Sequence, residues 1–177
     1  MENMTMPFIV KTVDEQTSTI VSELIRKYAD SVLRMCFLYL DDYYLAEDVT
    51  QDTFIRVMKN YDKFRKESSE KTWIMKIAIN LCKNQRKSWW FKRQNIEALE
   101  LAYDACYDGL LDRQEVFNKI NKLSPKHKEI ILLYYYQEMS VAEIAEVLKL
   151  KESAVKTRMF RAREQLRLNL KEDEAYE

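Results

Sequence analysis

Between Ser140 and Leu166 the chain reads SVAEIAEVLKLKESAVKTRMFRAREQL, and its later turns, with the residue just beyond, gather Lys156, Arg158, Arg161, Arg163 and Arg167. Cations at this spacing make and break no bonds by themselves; they bind polyanions, phosphates above all. Val155, Met159, Ala162 and Leu166 recur at the spacing of one apolar helical stripe. Lys156, Thr157, Phe160, Arg161, Arg163 and Glu164 then fall opposite or beside it and face outward. Such a helix fits the major groove of DNA, where its early residues reach base edges and its basic flanks reach phosphates. Lys156 and Arg161 can donate to guanine, Thr157 permits close approach, and Phe160 can lie on a thymine methyl or a sugar. Arg163 and Arg167 point to phosphates. The competing reading is a surface helix whose cations balance its own C-terminal dipole. That reading gives no role to an aromatic ring in the middle of the exposed face.

A second basic block runs from Lys71 to Arg93, with seven cations and no carboxylate. Capturing bases that have left the stack takes an apolar or aromatic pocket beside a cationic groove. The loop from Arg65 to Lys71, including Lys66, can form such a pocket, and Asn80 can bond a base edge. Lys76, Lys83, Arg86 and Lys87 suit phosphates, with Asn84 on the same surface. Trp73 sits on the apolar stripe and reads as core, whereas Trp89, Trp90 and Phe91 could wedge or simply pack. Asp48, Gln51 and Asp52 share a different, acidic helix face.

The elements that would position these residues are all helical. One glycine and two prolines leave little material for hairpins, while 47% hydrophobic and 33% charged residues suit amphipathic helices packed on one another. The expected fold is therefore all α. Apolar periodicity predicts helices over Thr17 to Leu40, Leu45 to Tyr61 and Thr72 to Trp90, which make a first domain over residues 1–93. Ile20, Val21, Leu24, Ile25, Tyr28, Val32, Met35, Cys36 and Tyr39 form the inward face of the first. Residues 94–118 hold six acidic side chains against Arg113 and read as an acidic, flexible linker. A second domain, residues 119–177, opens with Ser124 and Pro125 at a helix start. Ser140 and Glu143 then form a capping box, and a break at Lys149 to Lys151 precedes the last helix. Two short helices with a tight connection and a basic second member describe a helix-turn-helix.

Several classes are disfavoured. No apolar run is long enough to cross a bilayer, and the opening residues lack the pattern of a signal peptide, which gives a cytoplasmic expectation. Cys36, Cys82 and Cys106 are odd in number, distant in sequence and outside CxxC pairs, so neither a disulfide framework nor a metal site is expected, and they read as buried or idle thiols. Asp48 and Asp52 could hold magnesium as in a nuclease, but no third carboxylate or partner base accompanies them, and His127 belongs to the other domain. No catalytic residue, cofactor or small-molecule substrate is expected, and the protein is not read as an enzyme. The alternative is a dimeric helix-turn-helix regulator that binds duplex DNA without being a polymerase subunit; it leaves the tryptophan-rich first block unexplained.

On these motifs the chain resembles the extracytoplasmic-function group of bacterial sigma factors, in the sigma-70 family. AEDVTQDTFIRVMKNYDKF is similar to the part of region 2 that binds core RNA polymerase, and KTWIMKIAINLCKNQRK to the part that reads and melts the −10 element. LSPKHKEIILLYYYQEMSVAEIAEVLKLKESAVKTRMFRAREQL resembles region 4, ending in the helix that reads the −35 element. The resemblance implies a protein that binds core polymerase and directs promoter-specific initiation. It places Asp48, Gln51 and Asp52 on the polymerase, and Lys156, Thr157, Phe160 and Arg161 on the −35 element. It also implies an anti-sigma factor as partner, often membrane-anchored, and a linker threaded through the polymerase. Asn84, His127, Lys128 and Lys151 depart from the residues common at those positions.

Overall fold

The computed structural model describes residues 15–93 and 114–174, and side chains within 15–87 and 118–168. The described residues are helical, without a strand. Helix α1 spans Glu15–Leu40 and α2 spans Tyr43–Asn60. Between them Asp41 takes a left-handed backbone, φ 58°, and its N–H closes α1 on the carbonyl of Phe37 at 2.8 Å. Aspartate tolerates that conformation better than most side chains, so the reversal needs no glycine. Asp42 caps α2 by accepting from the Leu45 N–H at 2.9 Å.

After a 3₁₀ turn at Tyr61–Lys63, α3 spans Glu70–Arg93. Ser69 caps it, its Oγ accepting from the Thr72 N–H at 3.1 Å. Val32, Met35, Val49, Val57, Ile74, Met75 and Ala78 fill the space among these three helices with almost no exposure. Each large apolar side chain so buried stabilises the fold by about 1.5–3 kcal/mol before chain entropy is counted. Ile25, expected on the inward face, is exposed instead. It stands at the edge of the stripe, on the turn where α1 has no helix to cover it.

The second half contains α4 (Gln114–Asn121), α5 (Pro125–Ile131), a π-helical turn (Leu132–Tyr136), α6 (Val141–Leu148) and α7 (Glu152–Glu174). Helix α4 begins inside the stretch read as linker; the rest of that stretch, residues 94–113 with Cys106, lies outside the described residues. Ser124 precedes Pro125 as expected, but its carbonyl, not its hydroxyl, takes the first N–H groups, from His127 and Lys128. The Ser140 and Glu143 box forms in full. Lys149 turns left-handed at φ 54° and ends α6. Val155, Met159 and Ala162 of α7 are buried, and Leu166 lies partly covered beside them.

The two halves share one apolar core. Across their seam the buried Gln137 makes three hydrogen bonds to the first half. It donates to the Ser31 carbonyl at 3.0 Å, accepts from the Ser31 hydroxyl at 2.6 Å, and its carbonyl takes the Lys71 ammonium. A buried amide left without these partners would cost about 1–3 kcal/mol, so the seam is specified by polar fit as well as by apolar burial.

Candidate nucleic-acid interface

Helix α7 presents its cations outward. Lys156, Thr157, Arg161, Arg163 and Arg167 are exposed, and Phe160 keeps 67% of its surface in solvent. A single exposed aromatic is ordinary on a protein surface; its place among these cations is what makes it a candidate contact. The Thr157 hydroxyl bonds back to the Ser153 carbonyl at 2.9 Å, which turns its methyl toward solvent. Ser153, Ala154, Thr157, Arg158 and Arg161 line a shallow cleft of about 320 Å³ along this face. Arg163 lies over the rings of Tyr134 and Tyr135, at 5.5 and 5.6 Å from their centroids, so its guanidinium is held in place by cation–π contact. Arg167 is tied more loosely, to Glu164 one turn back at 3.2 Å.

The capping box and the left-handed Lys149 fix the angle at which α7 leaves α6. The Glu143 carboxyl is held below its usual range by hydrogen bonds, first from the Ser140 backbone N–H and then from its hydroxyl. His127 of α5 joins Gln165 of α7 at 2.9 Å, tying the two helices together.

The first half carries a cleft on α2, the turn after it and α3. It has a volume of about 370 Å³ and is lined by Arg56, Asn60, Lys63, Trp73, Ile77 and Asn80, so α2 and its terminal turn supply the cations and α3 the floor. Trp73 packs against the core as expected, half-buried; it stacks on Phe64 at 4.7 Å with 21° between planes, and Tyr61 meets it edge-on at 6.3 Å. Trp73 lines the cleft with the exposed Asn80, and Phe64 and Tyr61 pack on its ring. Arg65 and Lys66 stand in solvent, Arg65 within 4.0 Å of Glu67, and Lys66 occupies a left-handed position. Asn84, Arg86 and Lys87 are exposed.

Lys76 and Lys83 have a different setting. Both are half-covered by the second half of the chain, Lys76 on Glu146 at 3.5 Å and Lys83 on Glu129 at 2.8 Å. Glu129 is 4% exposed and also meets Arg158 at 3.7 Å. Nothing in the sequence singles out Glu129, which sits within the run KHKEIILL; its importance comes only from where α3 arrives.

Asp48, Gln51 and Asp52 are exposed along α2. Tyr44, Ile55 and Met58 lie on the same helix and are among the exposed large apolar side chains, so this face is both acidic and greasy. Sequence periodicity alone does not mark those three, because each falls outside the regular apolar stripe.

Two sequence models of known families match the chain in order: "Sigma-70 region 2" over residues 24–91 and "Sigma-70, region 4" over residues 113–166. The RNA polymerase sigma factor YlaC of Bacillus subtilis is 30% identical, over 85% of this chain and 91% of its own length. The ECF RNA polymerase sigma factor SigW of the same organism is 29% identical, over 92% and 95%. The chain belongs to the extracytoplasmic-function sigma factors of the sigma-70 family. Its fold also matches the sigma factor RpoE crystallised with the anti-sigma factor NepR of Bartonella quintana, with a TM-score of 0.75, 23% identity, and coverage of 86% of this chain and 98% of that one.

In this sigma factor the region 2 match contains the aromatic cleft and the acidic face of α2, and the region 4 match contains α4 to α6 and α7 as far as Leu166. Among the described residues no cluster of three or more His, Cys, Asp or Glu could hold a metal, and no helix is long and apolar enough to cross a membrane. Cys36 and Cys82, far apart in sequence, are buried side by side; the Cys36 thiol bonding to Cys82, together with burial, pushes the Cys82 thiol well above its usual range. Trp89, Trp90 and Phe91 belong to α3, but their side chains lie outside the described residues.

Proposed function

We propose that this sigma factor binds core RNA polymerase and directs promoter-specific initiation, with α7 reading the −35 element and the cleft between α2 and α3 capturing a base of the opened −10 element. One observation carries this reading. A single chain holds both an exposed cationic helix bearing an exposed aromatic and, in its other half, a cleft lined by Trp73 and the exposed Asn80. The first suits duplex DNA and the second an unstacked base. On α7, Lys156, Thr157, Phe160 and Arg161 face base edges, and Arg163 and Arg167 face phosphates. In the first half, Asn80 meets the captured base, while Arg65, Lys66, Lys76, Lys83, Asn84, Arg86 and Lys87 guide the strand. The division is residues 1–93 for core binding and the −10 element, 94–118 for the acidic link, and 119–177 for the −35 element.

The acidic, partly apolar face at Asp48, Gln51 and Asp52 docks on a basic surface of the polymerase, with Tyr44, Ile55 and Met58 adding buried area. The chain supplies recognition and strand capture, in the cytoplasm, and the polymerase supplies the chemistry. A further partner, an anti-sigma factor, fits the complexes in which similar sigma folds have been crystallised.

The test is reconstitution: core polymerase, this chain and a duplex promoter library. Specific transcripts that require the chain support the reading; DNA binding as a dimer, with no transcription when core is added, contradicts it. Charge reversal of Asp48 and Asp52 to Lys should abolish co-purification with core while leaving the helical circular dichroism unchanged. Asn80→Ala should slow opening of duplex promoters and be partly rescued on a template already mismatched at −10. Equal impairment on both templates would remove Asn80 from strand capture.

A further inference from the structure

Tyr134, Tyr135 and Tyr136 follow one another where the chain leaves its regular helical path. The turn Leu132–Tyr136 is π-helical, and a bond from the Gln137 N–H to the Leu132 carbonyl closes it at 3.1 Å. Such turns are uncommon and recur at functional sites. Neighbouring side chains on a regular α-helix do not face a common target. Here two of them do. The rings of Tyr134 and Tyr135 meet edge to face, with centroids 4.9 Å apart and planes at 79°. The Arg163 guanidinium of α7 lies 5.5 Å from one centroid and 5.6 Å from the other, so the three centres make a nearly equilateral triangle with the cation in the corner of two rings.

This seat differs in kind from that of Arg167, one turn further along α7. Arg167 is held through its N–H groups, on the Glu164 carboxylate at 3.2 Å. A carboxylate takes the same donors that a phosphate would take, so Arg167 must give up one partner to gain the other. An aromatic ring attracts the cation through its quadrupole and leaves the planar fork of N–H donors unspent. Among the described residues no carboxylate pairs with Arg163. Arg163 is exposed above the half-buried Tyr134, so the rings hold it from the protein side. An arginine seated in this way has lost part of its rotamer freedom before a phosphate arrives, and ordering it on DNA costs correspondingly less. Tyr135 itself keeps 51% of its surface in solvent and contributes little to the core.

We propose that Tyr134 and Tyr135 are positioning residues for −35 recognition: their rings form a seat that holds the Arg163 guanidinium, with its donors free, ready for a backbone phosphate beside that element. The inference rests on the reading of α7 as the −35 helix and adds to it two residues of an earlier turn that act through Arg163. The seat governs affinity for all −35 sequences alike, since a phosphate carries no base identity.

The experiment uses the full chain reconstituted with core polymerase and measures binding to a duplex promoter over a salt series. Wild type is compared with Tyr135→Phe, Tyr135→Leu, Arg163→Ala and the double variant Tyr135→Leu/Arg163→Ala. Tyr135→Leu removes the ring and should weaken binding by about two- to five-fold, whereas Tyr135→Phe keeps the ring and should bind as wild type. Arg163→Ala should weaken binding further and make the salt slope shallower by about one unit. In the Arg163→Ala background, Tyr135→Leu should have no additional effect, because its loss runs through the cation. If Arg163→Ala weakens binding and Tyr135→Leu does not, the phosphate contact stands and the seat falls. If Arg163→Ala changes neither affinity nor slope, the reading of Arg163 as a phosphate contact falls and the seat with it. Tyr135→Phe as weak as Tyr135→Leu assigns the effect to the hydroxyl and overturns the seat. A Tyr135→Leu loss that persists without Arg163 overturns it too, since the ring then acts on its own or through the fold.

Discussion

Helices α3 and α7 carry similar cationic faces and meet opposite surroundings. On α7, Lys156 and Arg161 project into solvent, and none of the described residues pairs with either. On α3, Lys76 and Lys83 are seated on carboxylates from the other half of the chain. Sequence gives both helices the same electrostatic signature; the fold exposes one and covers the other. The difference teaches that a run of lysines marks a cationic helix without saying whether its charges face solvent. Availability is decided by residues such as Glu129 and Gln137, far away in sequence and indifferent to periodicity.

The largest effect that would sharpen this contrast is at Lys128, which faces Asp41 from the turn between α1 and α2, Arg86 and Cys82 from α3, and Asn121 from α4. Its pKa is lowered from 10.5 to about 8, chiefly by burial. Below the lower value both folded and unfolded chains are protonated there and the folded state carries the full penalty. Between the two values the folded lysine is neutral while the unfolded one still binds a proton, so stability rises with pH. Lys128→Met removes the penalty at every pH. The advantage of the variant should therefore be greatest near neutrality and shrink by as much as about 3 kcal/mol as the pH climbs through that window. Tyr39, held protonated chiefly by burial, and Cys82, held so chiefly by its hydrogen bond with Cys36 and then by burial, push stability the other way at alkaline pH; Tyr39 does so in both chains, whereas Cys82 faces Lys128, so the comparison is read below the range in which Cys82 titrates. Denaturant unfolding of the two chains across the alkaline range measures it, and a constant difference would mean that Lys128 is solvated and the seam loose.

Next in size is Glu129→Ala. A fully buried pair broken on one side costs about 3–5 kcal/mol, but Lys83 and Arg158 each keep about a third of their side chains in water, so about 2 kcal/mol is expected at this site. Lys156→Ala on the open face of α7 should stay within about 0.5 kcal/mol. Equal losses for the two would erase the distinction between the covered and the open helix.

Much of the fold can be read from the residues alone, and the misses have physical causes. Helices α2 and α3 each start two residues earlier than apolar periodicity predicts, at Tyr43 and Glu70. Periodicity registers the first buried residue, whereas a helix begins at its cap; Asp42 and Ser69 are the better markers. The Ser140 and Glu143 box is legible because both partners of the hydrogen bonds are three residues apart. Helix α4 is hidden because it begins inside an acidic block. The aromatic cleft is half legible: Asn80 stands out, but its companions Arg56, Asn60 and Lys63 come from α2 and the turn after it, across a chain reversal. The seam is not legible at all, since Ser31 and Gln137 lie 106 residues apart and only the folded chain brings them together.

The smallest effect concerns the joint that aims α7. Lys149 holds a left-handed backbone at φ 54°, where a side chain beyond the α-carbon is strained and glycine is not. Lys149→Gly should raise stability by about 0.5–1 kcal/mol, seen as a higher Tm, with the direction of α7 unchanged. A drop instead would show that the lysine side chain, and not the turn, secures the end of α6.

Reading of bases by α7 is tested most directly by transcription from a promoter library randomised at −35, comparing the wild-type holoenzyme with its Arg161→Ala and Arg167→Ala forms over a salt series. Arg161→Ala should lose about 1–3 kcal/mol and relax preference at one or two positions, while Arg167→Ala should weaken all promoters alike and make the salt slope shallower by about one unit. If Arg161→Ala lowered every promoter equally and left the sequence preference intact, α7 would be a phosphate clamp, and promoter recognition through its base contacts would be contradicted.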